Sequence, residues 1–277
     1  MSGKLFLVAT PIGNLDDITY RAVKVLNEVD VIAAEDTRHS LKLLNHLEIS
    51  KPLISYHRHN EDVKTEYLIN KIINGENIAL ITDAGTPAIS DPGEEIVKEA
   101  IKNNIEIIPI PGACALINAL ICSGMNTKEF TFYGFLPINK KLRKNKLQEI
   151  KHENKTIIIY EAPHKINNTL NDLLNEIGDV KITLARELTK IHEEFYRGKI
   201  SEIINQCENI RGEIIIIIEG NLENNIEENM DILNELSLEE HYKYYEKQGL
   251  EKKEIIKKIA KDKKINKNEI YMEFLNK

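Results

Sequence analysis

Apolar residues recur along this chain in two rhythms. Runs of five or six mostly aliphatic residues at 4–8, 29–34, 52–56, 77–82 and 105–110 read as strands. Between them the spacing turns helical. At 17–28 the positions Ile18, Ala22, Val25 and Leu26 fall on one face, and 37–47, 61–73 and 94–102 also read as helices. Strand and helix in alternation predict a mostly parallel sheet with helices on its faces.

A second unit follows. Residues 114–122, 139–151 and 165–177 read as helices, and 130–135, 156–160 and 181–185 as strands. The stretch 213–219 holds five consecutive Ile, the mark of a strand buried on both faces. A break near Pro111-Gly112 divides an N-terminal α/β lobe, 1–111, from a second α/β lobe, 112–222. Two such lobes leave a cleft, a usual place for a small-molecule site. After Gly220 the chain becomes acidic and Asn-rich, as in a linker. Three short amphipathic helices then follow at 236–248, 252–261 and 267–274, the last two resembling a helix-turn-helix pair. Residues 223–277 thus read as a linker and helical extension.

The length of 277 residues suits two domains, and 42% hydrophobic residues suffice for a core. With no Trp and 6% aromatics, that core must rest on Ile, Leu and Val. The net charge of −7 argues against a general nucleic-acid binder, but charge is unevenly spread. Residues 140–155 carry seven Lys/Arg against two Glu, and 249–277 nine Lys against five acids. Basic patches on an acidic body fit a selective polyanion partner. Cys114, Cys122 and Cys207 form no CxxC pair and read as small buried hydrophobes in a reducing compartment; no metal site is suggested by spacing. The apolar run at 5–9 is too short for a signal peptide, and no run approaches a membrane span, so the expectation is a soluble cytoplasmic protein.

The chemistry is concentrated in loops that leave the ends of strands, where open α/β sheets gather ligands. The first is Ala9-Thr10-Pro11-Ile12-Gly13-Asn14-Leu15. The second, Ala34-Glu35-Asp36-Thr37-Arg38, reads as a capped helix start with Asp36 or Thr37 as the cap. The third runs from Thr82 to Gly93, and its two Asp, two Pro and two Gly make a rigid loop that exposes backbone, with Asp83 able to accept from an amino group or ribose. The fourth, at 109–114, brings small residues into a helix N-terminus. Tyr160-Glu161-Ala162-Pro163-His164 and Ala185-Arg186-Glu187-Leu188-Thr189-Lys190 place ionisable groups at two further strand ends. No GxGxxG, P-loop or GxSxG motif is present.

Taken together, these loops resemble those of the tetrapyrrole methylase superfamily, and within it the branch that acts on small-subunit ribosomal RNA. The resemblance rests on residues 9–18, 34–38 and 83–87, on Pro111-Gly112 and Tyr133-Gly134-Phe135-Leu136-Pro137, on Tyr160-Glu161 and residues 185–190, and on the Lys-rich tail through Tyr271. It implies a two-lobed α/β fold with a cofactor cleft between the lobes and a small helical extension. It implies S-adenosylmethionine as methyl donor, the 2′-hydroxyl of a cytidine in the decoding region of 16S rRNA as acceptor, and a homodimer. Asp83, Gly85, Thr86, Cys114 and Ala115 should lie against the donor, Pro11 and Ile12 at its edge, and Tyr160 beside it from the second lobe. Cys114 stands at a small-residue position.

A ribose hydroxyl needs in-line placement and a proton acceptor. Loop chemistry offers Glu161 or Glu187 as the base, with Arg186 steering phosphate or nucleobase, and His164 and Glu35 as lesser candidates. Lys140, Lys141, Arg143, Lys144 and Lys146 are the expected phosphate contacts. The rival readings are a superfamily member acting on a cobalamin or sirohaem precursor or making diphthine, and a non-catalytic RNA-binding protein that retains the fold.

Overall fold

The computed structural model describes residues 2–207, 210–220, 236–246, 250–263, 265–266 and 269–270. Residues 1–148 and 156–219 form one compact unit, and 149–155 with 220–277 another.

The first half of the large unit alternates as expected: β1 (Lys4–Val8), α1 (Tyr20–Glu28), β2 (Val31–Ala34), α2 (Thr37–His46), β3 (Leu53–Ser55), α3 (Glu61–Ile73), β4 (Ile78–Ile81), α4 (Glu94–Lys102) and β5 (Glu106–Ile110). The strands form one all-parallel sheet in the order β3-β2-β4-β1-β5. β2 and β4 are buried throughout, because apolar layers cover both faces. One layer packs Leu68, Ile72 and Ile96 of α3 and α4 against Leu5 and Leu80; the other packs Ala22, Leu26 and Leu44 of α1 and α2 against Val8, Ile32 and Ile81. The expected helix at 17–28 starts three residues late. Asn14 caps a short 3-10 turn at Leu15–Asp17, and the Thr19 side chain then accepts from Ala22 N–H to begin α1.

The second half comprises α5 (Ala115–Ser123), β6 (Phe130–Phe135), α6 (Lys140–His152), β7 (Thr156–Glu161), α7 (Ile166–Ile177), β8 (Lys181–Arg186), β9 (Glu194–Lys199), α8 (Ile200–Ile204) and β10 (Ile214–Ile218). Its sheet runs β6-β7-β10-β8-β9 and is mixed: β6 and β7 are parallel, the other pairs antiparallel. The five-Ile strand β10 is central and wholly buried. β9 and α8 were not legible beforehand. β9 is an edge strand reading Glu-Phe-Tyr-Arg-Gly-Lys, whose polar residues protect an open edge and mask the strand pattern.

The smaller unit contains α9 (Leu238–Glu246) and α10 (Lys252–Asp262), packed through Tyr245, Ile255, Ile256 and Ile259. The expected linker at 223–235 and most of the expected helix at 267–274 lie outside the described residues. No described helix is long and apolar enough to cross a membrane.

Candidate functional site

β4 lies between β2 and β1, and all strands of the first sheet run the same way. The loops after β1, β2, β4 and β5 therefore leave one edge side by side. In the second sheet β7 and β8 both run antiparallel to β10, so both end where β10 begins. Ile214 stands opposite Glu161 on one side and Arg186 on the other. The two sets of strand ends border one cavity of about 470 Å³.

Close packing fixes the loops. Thr10 and Gly85 exchange backbone hydrogen bonds in both directions, 2.9 and 3.1 Å, which ties the β1 loop to the β4 loop. Gly85 has φ +86, a backbone that side chains rarely adopt, and a Cβ there would approach Ile12 Cγ2 to 3.2 Å. The Thr86 hydroxyl donates to Ala113 O at 3.0 Å and so links the β4 loop to the start of α5. Gly13 sits so near the β8 loop that a Cβ would meet Thr189 Oγ1 at 2.8 Å and Leu188 O at 3.0 Å. Ile12 joins the core beneath the second sheet, with Leu116, Ala185, Leu188 and Ile215.

Of the expected donor-contacting residues, Ile12, Asp83, Gly85, Thr86, Cys114, Ala115 and Tyr160 all line the cavity. Pro11 is buried and does not line it. Tyr160 is held edge-on by Phe132 at 4.9 Å and Phe135 at 5.7 Å between ring centres, and burial pushes its hydroxyl pKa up. Cys114 caps α5 without a side-chain hydrogen bond, which leaves first-turn N–H groups for a ligand carboxylate. Of the three cysteines expected to be buried, only Cys207 is; Cys114 is half-buried and Cys122 exposed. The reason is that α5 turns Cys122 outward, while apolar packing around Cys207 lifts its thiol pKa to about 11.

The candidate bases separate. Glu161 lines the cavity and is 5% exposed; its Oε1 accepts from Ala162 N–H at 2.8 Å and its Oε2 from the Thr169 hydroxyl at 2.5 Å. Glu187 lies outside the lining. Its carboxylate accepts from Glu213 N–H at 2.9 Å and from Lys190 at 3.0 Å. Burial works against the ionised form there, but those donors outweigh it and hold the pKa low. Arg186 donates to Arg211 O at 2.7 Å and pairs with Glu194 at 3.1 Å, also outside the lining, as is His164.

Glu35 does line the cavity, beside Asp83 and Asp91. Burial, then repulsion from Asp91 and Asp83, raises the Glu35 pKa. Burial also raises that of Asp91, against the pull of Arg58, with Asp83 adding to the rise. Arg58 hydrogen-bonds the Ser90 carbonyl. Asp36 is the N-cap of α2, accepting from Arg38 N–H at 2.9 Å and pairing with its guanidinium at 2.7 Å. Asp91, Phe135 and Glu213 are lining residues that the loop reading did not single out. Asp91 belongs to the Thr82–Gly93 loop without having been singled out in it, and Glu213 reaches the cavity only because β10 starts where β7 and β8 end.

The model for tetrapyrrole (corrin/porphyrin) methylases matches residues 4–204. The chain belongs to the tetrapyrrole methylase family. Relatives named ribosomal RNA small subunit methyltransferase I are 48% identical in Halalkalibacterium halodurans and 46% in Bacillus subtilis, each over 97% of this chain and 93% of that protein. Among solved structures, this methylase shares its fold with uroporphyrin-III C-methyltransferase of Thermus thermophilus complexed with S-adenosylhomocysteine (TM-score 0.56, 16% identity, 78% of this chain and 97% of that one). Diphthine synthase is a second match (TM-score 0.60, 12% identity, 80% and 93%).

The cavity fits S-adenosylmethionine. Its volume is that of a cofactor-sized site. Its lining has glycine and alanine at 84–85 and 115, apolar wall from Ile12, Leu188 and Ile215, and the carboxylates of Glu35, Asp83 and Asp91, which together would suit a ligand with an aromatic base and a cationic centre.

Proposed function

We propose that this methylase transfers a methyl group from S-adenosylmethionine to the 2′-hydroxyl of a cytidine in the decoding region of 16S rRNA. The observation that carries the reading is one cavity in which the cofactor loops of the first sheet face a buried carboxylate, Glu161, at the end of β7. The names of the nearly full-length relatives support small-subunit rRNA as the acceptor. Bound donor supplies an electrophilic methyl on a sulfonium. With the donor bound, Glu161 would accept the ribose proton, Tyr160 and the β4 loop would align the donor, and the apolar side chains of Ile12, Leu188 and Ile215 would limit water beside it. Pro11 supports the loop that carries Ile12.

The decisive experiment is transfer of tritium from labelled S-adenosylmethionine to small ribosomal subunits from cells lacking the protein, followed by nucleoside mapping. Label on 2′-O-methylcytidine supports the reading; label elsewhere, or none, overturns it.

Glu35 and Asp91 make cofactor binding pH-dependent. A cation is attracted to their ionised forms, and their raised pKa values mean that charge is lost on acidification earlier than at ordinary carboxylates. Affinity for S-adenosylmethionine should therefore fall as pH drops through that window. Calorimetric titration across pH checks this, and a flat profile would remove both carboxylates from the cation's surroundings.

RNA docks on the basic face of α6. Lys140, Lys141 and Lys144 are exposed there, Lys146 lies 5.1 Å over the Tyr133 ring, and Arg143 is engaged by Asp172 at 2.7 Å. The protein works in the cytoplasm as a homodimer. α5 supports this with an apolar stripe facing outward, Ile117 40% and Ile121 63% exposed one turn apart. Ile121→Glu is expected to shift the light-scattering mass from dimer to monomer; an unchanged dimer would move the interface elsewhere.

A further inference from the structure

A second cavity, of about 570 Å³, lies against α6 and α7 and is lined by Lys140, Arg143, Lys144, Lys165, Thr169 and Asp172 among others. It meets the cofactor cavity at one buried hydroxyl. Thr169 Oγ1 donates to Glu161 Oε2 at 2.5 Å and accepts from Arg143 Nη2 at 2.7 Å, while Arg143 Nε donates to Asp172 at 2.7 Å. The direction of this chain is set by chemistry. A guanidinium only donates, so the single hydroxyl proton of Thr169 goes to the carboxylate. Thr169 is fully buried and the Arg143 side chain is 17% exposed, so solvent screens neither bond well.

The second cavity is also electrically unbalanced. Asp172 is taken by Arg143, and Glu176 accepts from Gln148 at 2.5 Å. Among the described residues, Lys140, Lys144 and Lys165 have no carboxylate within ion-pair distance. Four cations against the two carboxylates of Asp172 and Glu176 leave the groove with two positive charges in excess, which suits an anionic backbone.

We infer that Arg143 and Thr169 are positioning residues for Glu161, and that the groove on Lys140, Lys144 and Lys165 takes RNA phosphates, so that one guanidinium links RNA docking to the base. The inference rests on the methylation reading above. Arg143 polarises the Thr169 hydroxyl, which holds the Glu161 carboxylate in one orientation. A phosphate seated on the three lysines lies beside Arg143 and so bears on the orientation that Arg143 and Thr169 give Glu161. The other ionisable groups lining the cavity of Glu161 are Glu35, Asp83, Asp91, Cys114, Tyr160 and Glu213, and His164 and Lys165 follow it in the chain. None of these makes a hydrogen bond to its carboxylate.

The test combines single-turnover methylation of small subunits across pH, binding of the subunit, and a carboxyl NMR titration of Glu161, which needs no substrate. Thr169→Val is expected to leave subunit and cofactor affinity intact, slow transfer about 10-fold, and move the acid limb of the rate profile and the carboxyl titration to higher pH, because the carboxylate loses a donor. Thr169→Ser should restore all three. Arg143→Gln should move the limb and also weaken subunit binding, whereas Lys144→Gln with Lys165→Gln should weaken binding and flatten its salt dependence. A limb and titration unmoved in both Thr169→Val and Arg143→Gln would overturn the relay, and lysine variants with unchanged salt dependence would overturn the groove. Failure of the wild type to methylate subunits would instead overturn the methylation reading, with the titration still reporting whether Thr169 and Arg143 hold the carboxylate.

Discussion

Glu161→Gln is expected to lower the single-turnover rate of methyl transfer about 10²- to 10⁴-fold, the range typical of losing a positioned acid–base group. Glutamine cannot take the ribose proton. It also cannot satisfy both donors that Glu161 now satisfies, because an amide presents one oxygen where the carboxylate presents two, to Ala162 N–H and to the Thr169 hydroxyl. Cofactor affinity, measured by calorimetry, should stay near that of the wild type, since glutamine keeps the size of the side chain and the loops after β1, β4 and β5 are untouched. A parallel loss of cofactor binding and of thermal midpoint would mean that the variant had disturbed the fold. Full turnover would remove Glu161 as the base. Glu187→Gln is the matched comparison: its carboxylate is held by Glu213 N–H and Lys190 outside the cavity, so the effect should fall on stability and not on the chemical step.

The second large effect is on cofactor binding. Gly85→Val should weaken S-adenosylmethionine by about 100-fold or more, equivalent to about 2.7 kcal/mol. Two costs combine. A β-branched residue at φ +86 is strained, and its side chain would press on Ile12 and enter the space the cofactor needs. Gly178→Val separates the two. Gly178 has φ +84 with no atom within 4 Å of an added Cβ, so it shares the backbone strain without touching the site. Both variants should melt earlier, but only Gly85→Val should lose the cofactor in a calorimetric titration. Equal cofactor affinity in the two would show that the β4 loop does not hold the donor.

How far the site was legible in advance depended on the kind of residue. The turns after β1, β4 and β5 announced themselves, because a loop that must expose backbone and approach a ligand closely draws on Gly, Pro and Ala. Asp83, Gly85, Thr86, Cys114 and Ala115 accordingly line the cavity. Charged residues were less informative. Glu161 and Glu187 stood equal as strand-end carboxylates, yet one faces the cavity and the other clamps its own loop against Glu213 and Lys190. Arg143 read as one of five basic residues on α6, and only packing of α6 against α7 turns it onto Asp172 and Thr169.

The sequence by itself determined the elements and their inward faces. α3, α4 and β6 fall where the periodicity put them, and the Ile run is the buried centre of its sheet. Such patterns span only a few residues, so burial of a stripe or an alternating face is written into local spacing. Strand order was decided by the tertiary structure alone. The β3-β2-β4-β1-β5 arrangement sets the loops bearing Ile12, Glu35 and Asp83 side by side, and antiparallel pairing around β10 brings Glu161 and Glu213 to the same cavity. Those residues are separated in the chain by many turns of backbone. Their meeting depends on which strands hydrogen-bond to which, a choice made by packing of whole faces and carried by no short stretch of sequence.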